Sequence, residues 1–315
     1  MTVPSIEDIK AAHDRIRDRV HRTPVMTCRT LDELSGRKLF IKCENLQGVG
    51  AFKLRGATNA ILSLDEADAE RGVCTHSSGN HAQALARAAR DRGIPAWIIM
   101  PTSAPEVKRR AVEGYGATIV PCEPTLEARE TTAARIVEET EATFIHPYDD
   151  PRIIAGQATA AIELLEDAGH LDAVVVPVGG GGLMSGTCLS LNALSPSTRL
   201  FGVEPCGADD AARSLAAGEF IPQTSPNTIC DGLLTSLGQL TWPILRDHLE
   251  AIFTVDDAEV VRAMRLLWER AKTIVEPSGA TPVAAVLQDS FPVPEGARVG
   301  LILSGGNVDL DKLPW

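Results

Sequence analysis

The sequence predicts an α/β protein in which short apolar strands alternate with helices along nearly the whole chain. Two observations carry this. Runs such as Ala173-Val-Val-Val-Pro-Val178 are apolar without alternation, as expected of parallel strands covered by helices on both faces. The length, 315 residues, exceeds one ordinary core and predicts two lobes with a cleft between them.

In chain order, Ser5-Ile6-Glu7-Asp8 is a capping box that opens an amphipathic helix running to about Arg19. Strands are expected over 38–43, 73–75, 96–100, 118–121, 143–146, 173–178, 200–203 and 299–303. Helices are expected over roughly 80–92, 106–113, 126–140, 155–168, 183–194 and 258–273. The segment 72–149 holds four strands alternating with three helices and forms the smaller lobe in this reading. Residues 1–71 together with 150–315 form the larger.

Composition narrows the function. The chain is 44% hydrophobic and 23% charged with a mean hydropathy of +0.01, the profile of a folded globular protein. No apolar run reaches the ~18 residues of a membrane helix, and the acidic N-terminal segment has no apolar stretch of the secretory type. The expected compartment is the cytoplasm. A net charge of −12 opposes a broad face for nucleic acid or anionic membrane, which leaves a small ligand. Seven cysteines, at 28, 43, 74, 122, 188, 206 and 230, include no Cys-x-x-Cys pair and read as buried thiols.

The strongest local feature follows the apolar strand at 173–178. Gly179-Gly-Gly-Gly-Leu-Met-Ser-Gly186 lets successive backbone N–H groups point at one spot, where the following helix adds partial positive charge. That combination binds a phosphate. It is not a Walker loop, which needs lysine where Thr187 stands. Nor is it Gly-x-Gly-x-x-Gly, whose last glycine is replaced by Met184. One point favours a dinucleotide site, because Glu204 ends the next strand about where a ribose-binding acid would sit.

Three further segments carry polar chemistry. Gly50-Ala-Phe-Lys-Leu-Arg-Gly56 puts Lys53 beside an aromatic ring at a helix start, where partial desolvation and the helix dipole lower an amine's proton affinity. Taken alone the pattern also fits a solvated lysine. His76-Ser-Ser-Gly-Asn-His81 follows a strand and opens a helix, which suits either a carboxylate or a plain helix cap. Leu303-Ser-Gly-Gly-Asn307 lies at the end of the last strand, where ligands of open α/β sheets collect, and reads equally as a polar turn.

Taken together and in this order, the motifs resemble the fold-type II pyridoxal-phosphate enzymes, of the tryptophan synthase β-like architecture. Within them they resemble the group of serine racemase, threonine/serine dehydratase and 3-hydroxyaspartate dehydratase. The resemblance spans nearly the whole chain. It rests on Lys42-Cys-Glu-Asn, Phe52-Lys-Leu-Arg-Gly, Thr75-His-Ser-Ser-Gly-Asn-His, Cys122-Glu-Pro, His146-Pro-Tyr, Ile154-Ala-Gly-Gln, the glycine loop, Glu204-Pro, Asp231-Gly, Glu276-Pro-Ser and Ser304-Gly-Gly-Asn.

The resemblance implies two open α/β domains of parallel type with pyridoxal 5'-phosphate in the cleft. In it Lys53 holds the cofactor, Phe52 packs on the ring, Asn80 bonds the ring hydroxyl, and Gly179, Gly180, Gly181, Gly182 and Leu183 hold the phosphate. Glu276 and Ser304 complete the cofactor site, with Ser304 at the pyridine nitrogen. A neutral hydroxyl there does not enforce a pyridinium, so the ring is a weaker electron sink and prompt loss of a β-hydroxyl is favoured. Ser77, Ser78, Gly79, Asn80, His81, Arg129 and Thr235 would face the substrate. Lys53 and Ser78 would be the proton carriers on the two faces of Cα.

The implied reaction is elimination of water and then ammonia from serine, threonine or 3-hydroxyaspartate, with racemase side activity. Arg129 would pair with the second carboxylate of 3-hydroxyaspartate, or is a solvated helix arginine. Glu204, the Ala208 carbonyl and Asp210 match a site for magnesium, calcium or manganese in the racemase group, or are two surface acids near a strand end. A homodimer is implied by the resemblance only. The chain stops soon after the last strand, so isoleucine feedback through a further domain is not expected. The competing readings are a true serine or aspartate racemase, a binding protein that keeps the fold without turnover, and a nicotinamide oxidoreductase.

Overall fold

The computed structural model describes residues 2–104 and 106–315, apart from the side chain of Val107. The chain opens with α1 (Ile6–Ile16), β1 (Val25–Met26), α2 (Arg29–Ser35), β2 (Lys38–Cys43), α3 (Lys53–Leu62) and α4 (Glu66–Arg71). Next come β3 (Val73–His76), α5 (Asn80–Arg92), β4 (Ala96–Pro101), α6 (Glu106–Gly114), β5 (Thr118–Cys122), α7 (Leu126–Thr140) and β6 (Thr143–Phe144). The rest is α8 (Pro151–Ala168), β7 (Ala173–Pro177), α9 (Gly182–Leu194), β8 (Arg199–Pro205), α10 (Asp210–Ala217), α11 (Thr241–His248), β9 (Ala251–Val255), α12 (Asp257–Leu266), α13 (Pro277–Val286) and β10 (Arg298–Leu303).

Two sheets result. The larger has six strands in the order β1-β2-β10-β7-β8-β9, all parallel except β1. The smaller has four parallel strands in the order β5-β4-β3-β6. Along β7, Ala173 and Val175 enter one apolar cluster while Val174 and Val176 enter another. Each face of the strand therefore has its own core, which is why the run is apolar without alternation.

The core beneath the smaller sheet reaches back in sequence past residue 72. Ala57, Ala60, Ile61, Leu64 and Ala69 pack there with Val73, Leu85 and Ile98. Residue 72 thus marks where the second sheet begins and not where its core begins. Helix α3 also crosses α8 at close range, since a methyl group on Gly156 would lie 2.6 Å from the Gly56 Cα. It is therefore wedged between the two sheets' helical layers, and its first residue is Lys53.

Several boundaries differ from the sequence expectation for local reasons. Helix α1 ends at Ile16, three residues before Arg19. Helix α8 begins at Pro151 instead of 155, because the Asp150 carboxylate caps it and proline suits a first turn. The helix expected over 258–273 is α12 followed by a π turn at Leu267–Ala271, closed by Lys272 at a φ of 58°. The strand expected over 143–146 is regular only at Thr143–Phe144, with the Ile145 N–H adding one more bond to the Cys74 carbonyl at 2.8 Å. Six of the seven cysteines are buried, and Cys206 is exposed, which corrects the reading of all seven as buried thiols. Among the described residues no helix is long and apolar enough to cross a membrane.

Candidate active site

The residues immediately after β3, β7 and β10 converge on one cavity of about 530 Å³ between the two sheets. This is where open parallel sheets present ligand-binding loops. Its walls include Phe52, Lys53, the stretch 77–81, Arg129, the stretch 179–183, Thr235, Glu276 and Ser304. Every residue assigned from the sequence to cofactor or substrate, Ser78 included, therefore meets at a single place.

Lys53 enters from the wedge helix. The Phe52 N–H donates to the Ser304 carbonyl at 3.0 Å, which ties the start of α3 to the end of β10. The Lys53 amine donates to the Pro147 carbonyl at 2.8 Å and lies 5.1 Å from the Phe52 ring centroid. Among the described residues no carboxylate pairs with it, and burial lowers its pKa to about 8. Three imidazoles stand near. His146, whose Nδ1 accepts from the Asp149 N–H at 2.9 Å, is brought to about 4 by burial first and then by His76. His81 is held well below the usual histidine range by burial and by Lys53, and neither of its buried ring nitrogens has a hydrogen-bond partner among the described residues.

The glycine loop is shaped from behind. A methyl on Gly180 would fall 2.3 Å from the Tyr148 ring, and Gly181 has a φ of 85°. The Gly180 carbonyl accepts from the Thr241 hydroxyl at 2.8 Å, and the Asp149 carboxylate accepts from the Leu240 N–H at 2.8 Å. Helix α9 starts at Gly182, so the N–H groups of its first turn have no carbonyl one turn earlier to bond.

On the far side, the Asn80 amide donates to Glu276 Oε1 at 3.0 Å, and Asn80 Oδ1 accepts from Asn307 at 2.9 Å. Burial, then Asp231, pushes the Glu276 carboxyl up to about 8. Asn80 is thus engaged by protein groups, although the sequence reading gave it to a ring hydroxyl. Arg129 lies at the cavity wall with its Nε buried and unpartnered among the described residues.

The three residues assigned to a cation lie apart from this cavity. Glu204, Ala208 and Asp210 are all fully or nearly fully buried, which removes the reading of them as surface acids. The Glu204 carboxylate accepts from the Ala211 and Ala212 N–H groups at 3.2 and 2.8 Å, while Asp210 Oδ2 has no partner among the described residues. Burial raises both carboxyls, and the charge of Asp210 raises Glu204 further. Among the described residues no group of three or more His, Cys, Asp or Glu is arranged to hold a metal.

Sequence reasoning missed the supports. Tyr148, Asp149 and Thr241 shape the glycine loop, while Lys108 and Asp231 bridge the cavity. The motifs His146-Pro-Tyr and Asp231-Gly were visible, yet nothing in their spacing tells which distant loop they hold.

Residues 16–305 match the family model described as pyridoxal-phosphate dependent enzyme. The chain belongs to that family of pyridoxal-phosphate dependent enzymes. It is 52% identical to the β-hydroxyaspartate dehydratase of Paracoccus denitrificans over 100% of both chains. It is 49% identical to the serine racemase of Dictyostelium discoideum, over 99% of this chain and 98% of that one. The crystal structure of the Dictyostelium racemase superposes with a TM-score of 0.95, covering 98% of this chain and 100% of that one. The cavity fits the cofactor, since it offers a desolvated amine beside a side-chain-free loop at a helix start.

Proposed function

We propose that the chain removes water and then ammonia from a small 3-hydroxy amino acid, with racemisation of an amino acid at the same centre. The observation that carries this is the enclosed Lys53 amine, in one cavity with a glycine-lined helix start and the polar loop at 77–81. The relatives named above, a hydroxyaspartate dehydratase and a serine racemase, support both halves.

Bound pyridoxal phosphate supplies an electron sink for the negative charge left at Cα. Lys53 is the amine that holds it and the base placed to take the Cα proton. Gly179 to Leu183 receive the phosphate, with Phe52, Asn80, Glu276 and Ser304 around the ring. Ser77, Gly79 and Asn80 receive the α-carboxylate, and His81, Arg129 and Thr235 line the rest of the substrate site. Ser78 carries a proton on the face opposite Lys53. Glu204, the Ala208 carbonyl and Asp210 hold a divalent cation, a role supported by their burial and by the unpartnered Asp210 oxygen. The same reading makes the protein a cytoplasmic homodimer.

The test is a panel of the stereoisomers of serine, threonine and 3-hydroxyaspartate, with keto acid, ammonium and the opposite enantiomer measured together. Ser78→Ala is expected to abolish conversion of one serine enantiomer into the other while sparing elimination from the isomer whose Cα proton faces Lys53. Racemisation that persists in this variant would remove Ser78 from the role. Absence of keto acid from all three substrates would remove the dehydratase reading.

A further inference from the structure

The cavity serves two anions by design, phosphate at the glycine loop and an α-carboxylate at the loop 77–81. Its remaining wall, on α6 and α7, carries Arg129, already set against the substrate side chain, and a second cation, Lys108, to which no role has been given. Arg129 projects from α7 with a buried Nε that has no hydrogen-bond partner among the described residues, an arrangement that leaves a costly donor unmet until something fills it. Lys108 projects from α6, lines the same cavity, and places its amine 2.6 Å from Asp231 Oδ2.

The Lys108–Asp231 pair has two properties that matter. It crosses the cleft, because α6 belongs to the four-stranded sheet's layer while Asp231 lies between α10 and α11 of the other. It is also partly solvated, with side-chain exposures of 28% and 52%, and so exposed a pair is weak enough to exchange one carboxylate for another. The other acid lining the cavity, Glu276, is engaged by the Asn80 amide and the Asn307 N–H, and Asp231 is the carboxylate that Lys108 meets.

We infer that Lys108 is a specificity-determining residue that, together with Arg129, receives the side-chain carboxylate of a dicarboxylic hydroxy amino acid, with Asp231 as the partner this carboxylate displaces. The inference rests on the dehydratase reading and deepens it by naming the substrate class. A guanidinium and an ammonium lining one cavity from two different helices match a carboxylate by charge and by donor count. A hydroxymethyl side chain, as in serine, offers Lys108 nothing in exchange for Asp231, and the pair stays closed.

Two variants with opposite expectations test this. Lys108→Gln should raise KM for 3-hydroxyaspartate by about ten-fold more than KM for serine, with Lys108→Arg restoring most of the difference. Asp231→Asn removes the competing carboxylate and should lower KM for 3-hydroxyaspartate relative to serine. A pair that merely fastens the two lobes would make both variants lose both substrates in parallel, and that result overturns the inference while leaving the dehydratase reading in place. A wild-type protein that releases keto acid from neither substrate overturns both. Since Lys108 and Asp231 lie at the cavity rim, the folded state of each variant can be checked by its melting curve beside wild type.

Discussion

At the scale of single residues, the chemistry turns on how burial treats an unpaired charge. Lys53 has no carboxylate partner among the described residues and sits at about 8 instead of 10.5, so it binds fewer protons folded than unfolded between those values. Its desolvation is a penalty present in full below pH 8 that fades as pH rises toward 10.5. Two outcomes follow for protein stripped of cofactor. The rate at which added pyridoxal phosphate attaches, followed by visible absorbance, should climb with pH and level off above about 8. Lys53→Met should stabilise this cofactor-free protein by about 1–3 kcal/mol at pH 7 and by less at pH 10 in urea denaturation, while abolishing turnover. Attachment that still accelerates up to pH 10 would show a solvated amine.

Lys53 also shows what a sequence conveys at this scale. One lysine at a helix start is ordinary, and only its company of glycine loop, polar loop and terminal serine singled it out. Tyr148 and Asp149 gave no such signal. They work by contact with Gly180 and Leu240, far along the chain, and contact of that kind leaves no periodic trace.

At the scale of elements, the long apolar strands and the periodic helices were legible, and the short or mixed ones were not. Strand β9 is half-buried at a sheet edge and lacks a continuous apolar run. Helix α13 contains two prolines and a glycine, the composition of a loop, and is held helical because nearly its whole surface is buried. Helix α3 is the element whose placement matters most. Arg55 on its buried side makes a two-pronged contact with Glu44 at 2.8 Å and reaches Glu163 at 2.7 and 2.8 Å, while Lys42 also bonds Glu163 at 2.6 Å. Two cations balance two acids with almost no exposure to water. Arg55→Met should cost about 3–5 kcal/mol in chemical denaturation, because it leaves acids buried with too little positive charge. Adding Glu44→Gln to that variant should recover part of the loss, and strict additivity of the two changes would show that the cluster is not coupled.

At the scale of the whole molecule, the Glu204 carboxylate ties α10 to the end of β8, and the proposed cation would relieve its repulsion with the buried Asp210. Magnesium should raise the melting temperature of the chelator-treated protein by several degrees, since a ligand of the folded state alone stabilises by mass action. Asp210→Asn should remove that response. Identical melting curves with chelator and with magnesium in wild type would leave the two acids without a metal.

The order of strands in the larger sheet has a further meaning when time is considered. Strands β2 and β7 never touch, because β10 lies between them and pairs with both. A chain growing from its N-terminus at roughly 5–20 residues per second has exposed both apolar flanks long before their shared neighbour emerges. The smaller sheet is drawn from one contiguous stretch and has no such wait. Ser304 follows directly on β10 and its carbonyl anchors Phe52, so the place where Lys53 works is assembled only when the centre of the larger sheet is filled. Completion of the pocket therefore waits on β10, the last strand to leave the ribosome.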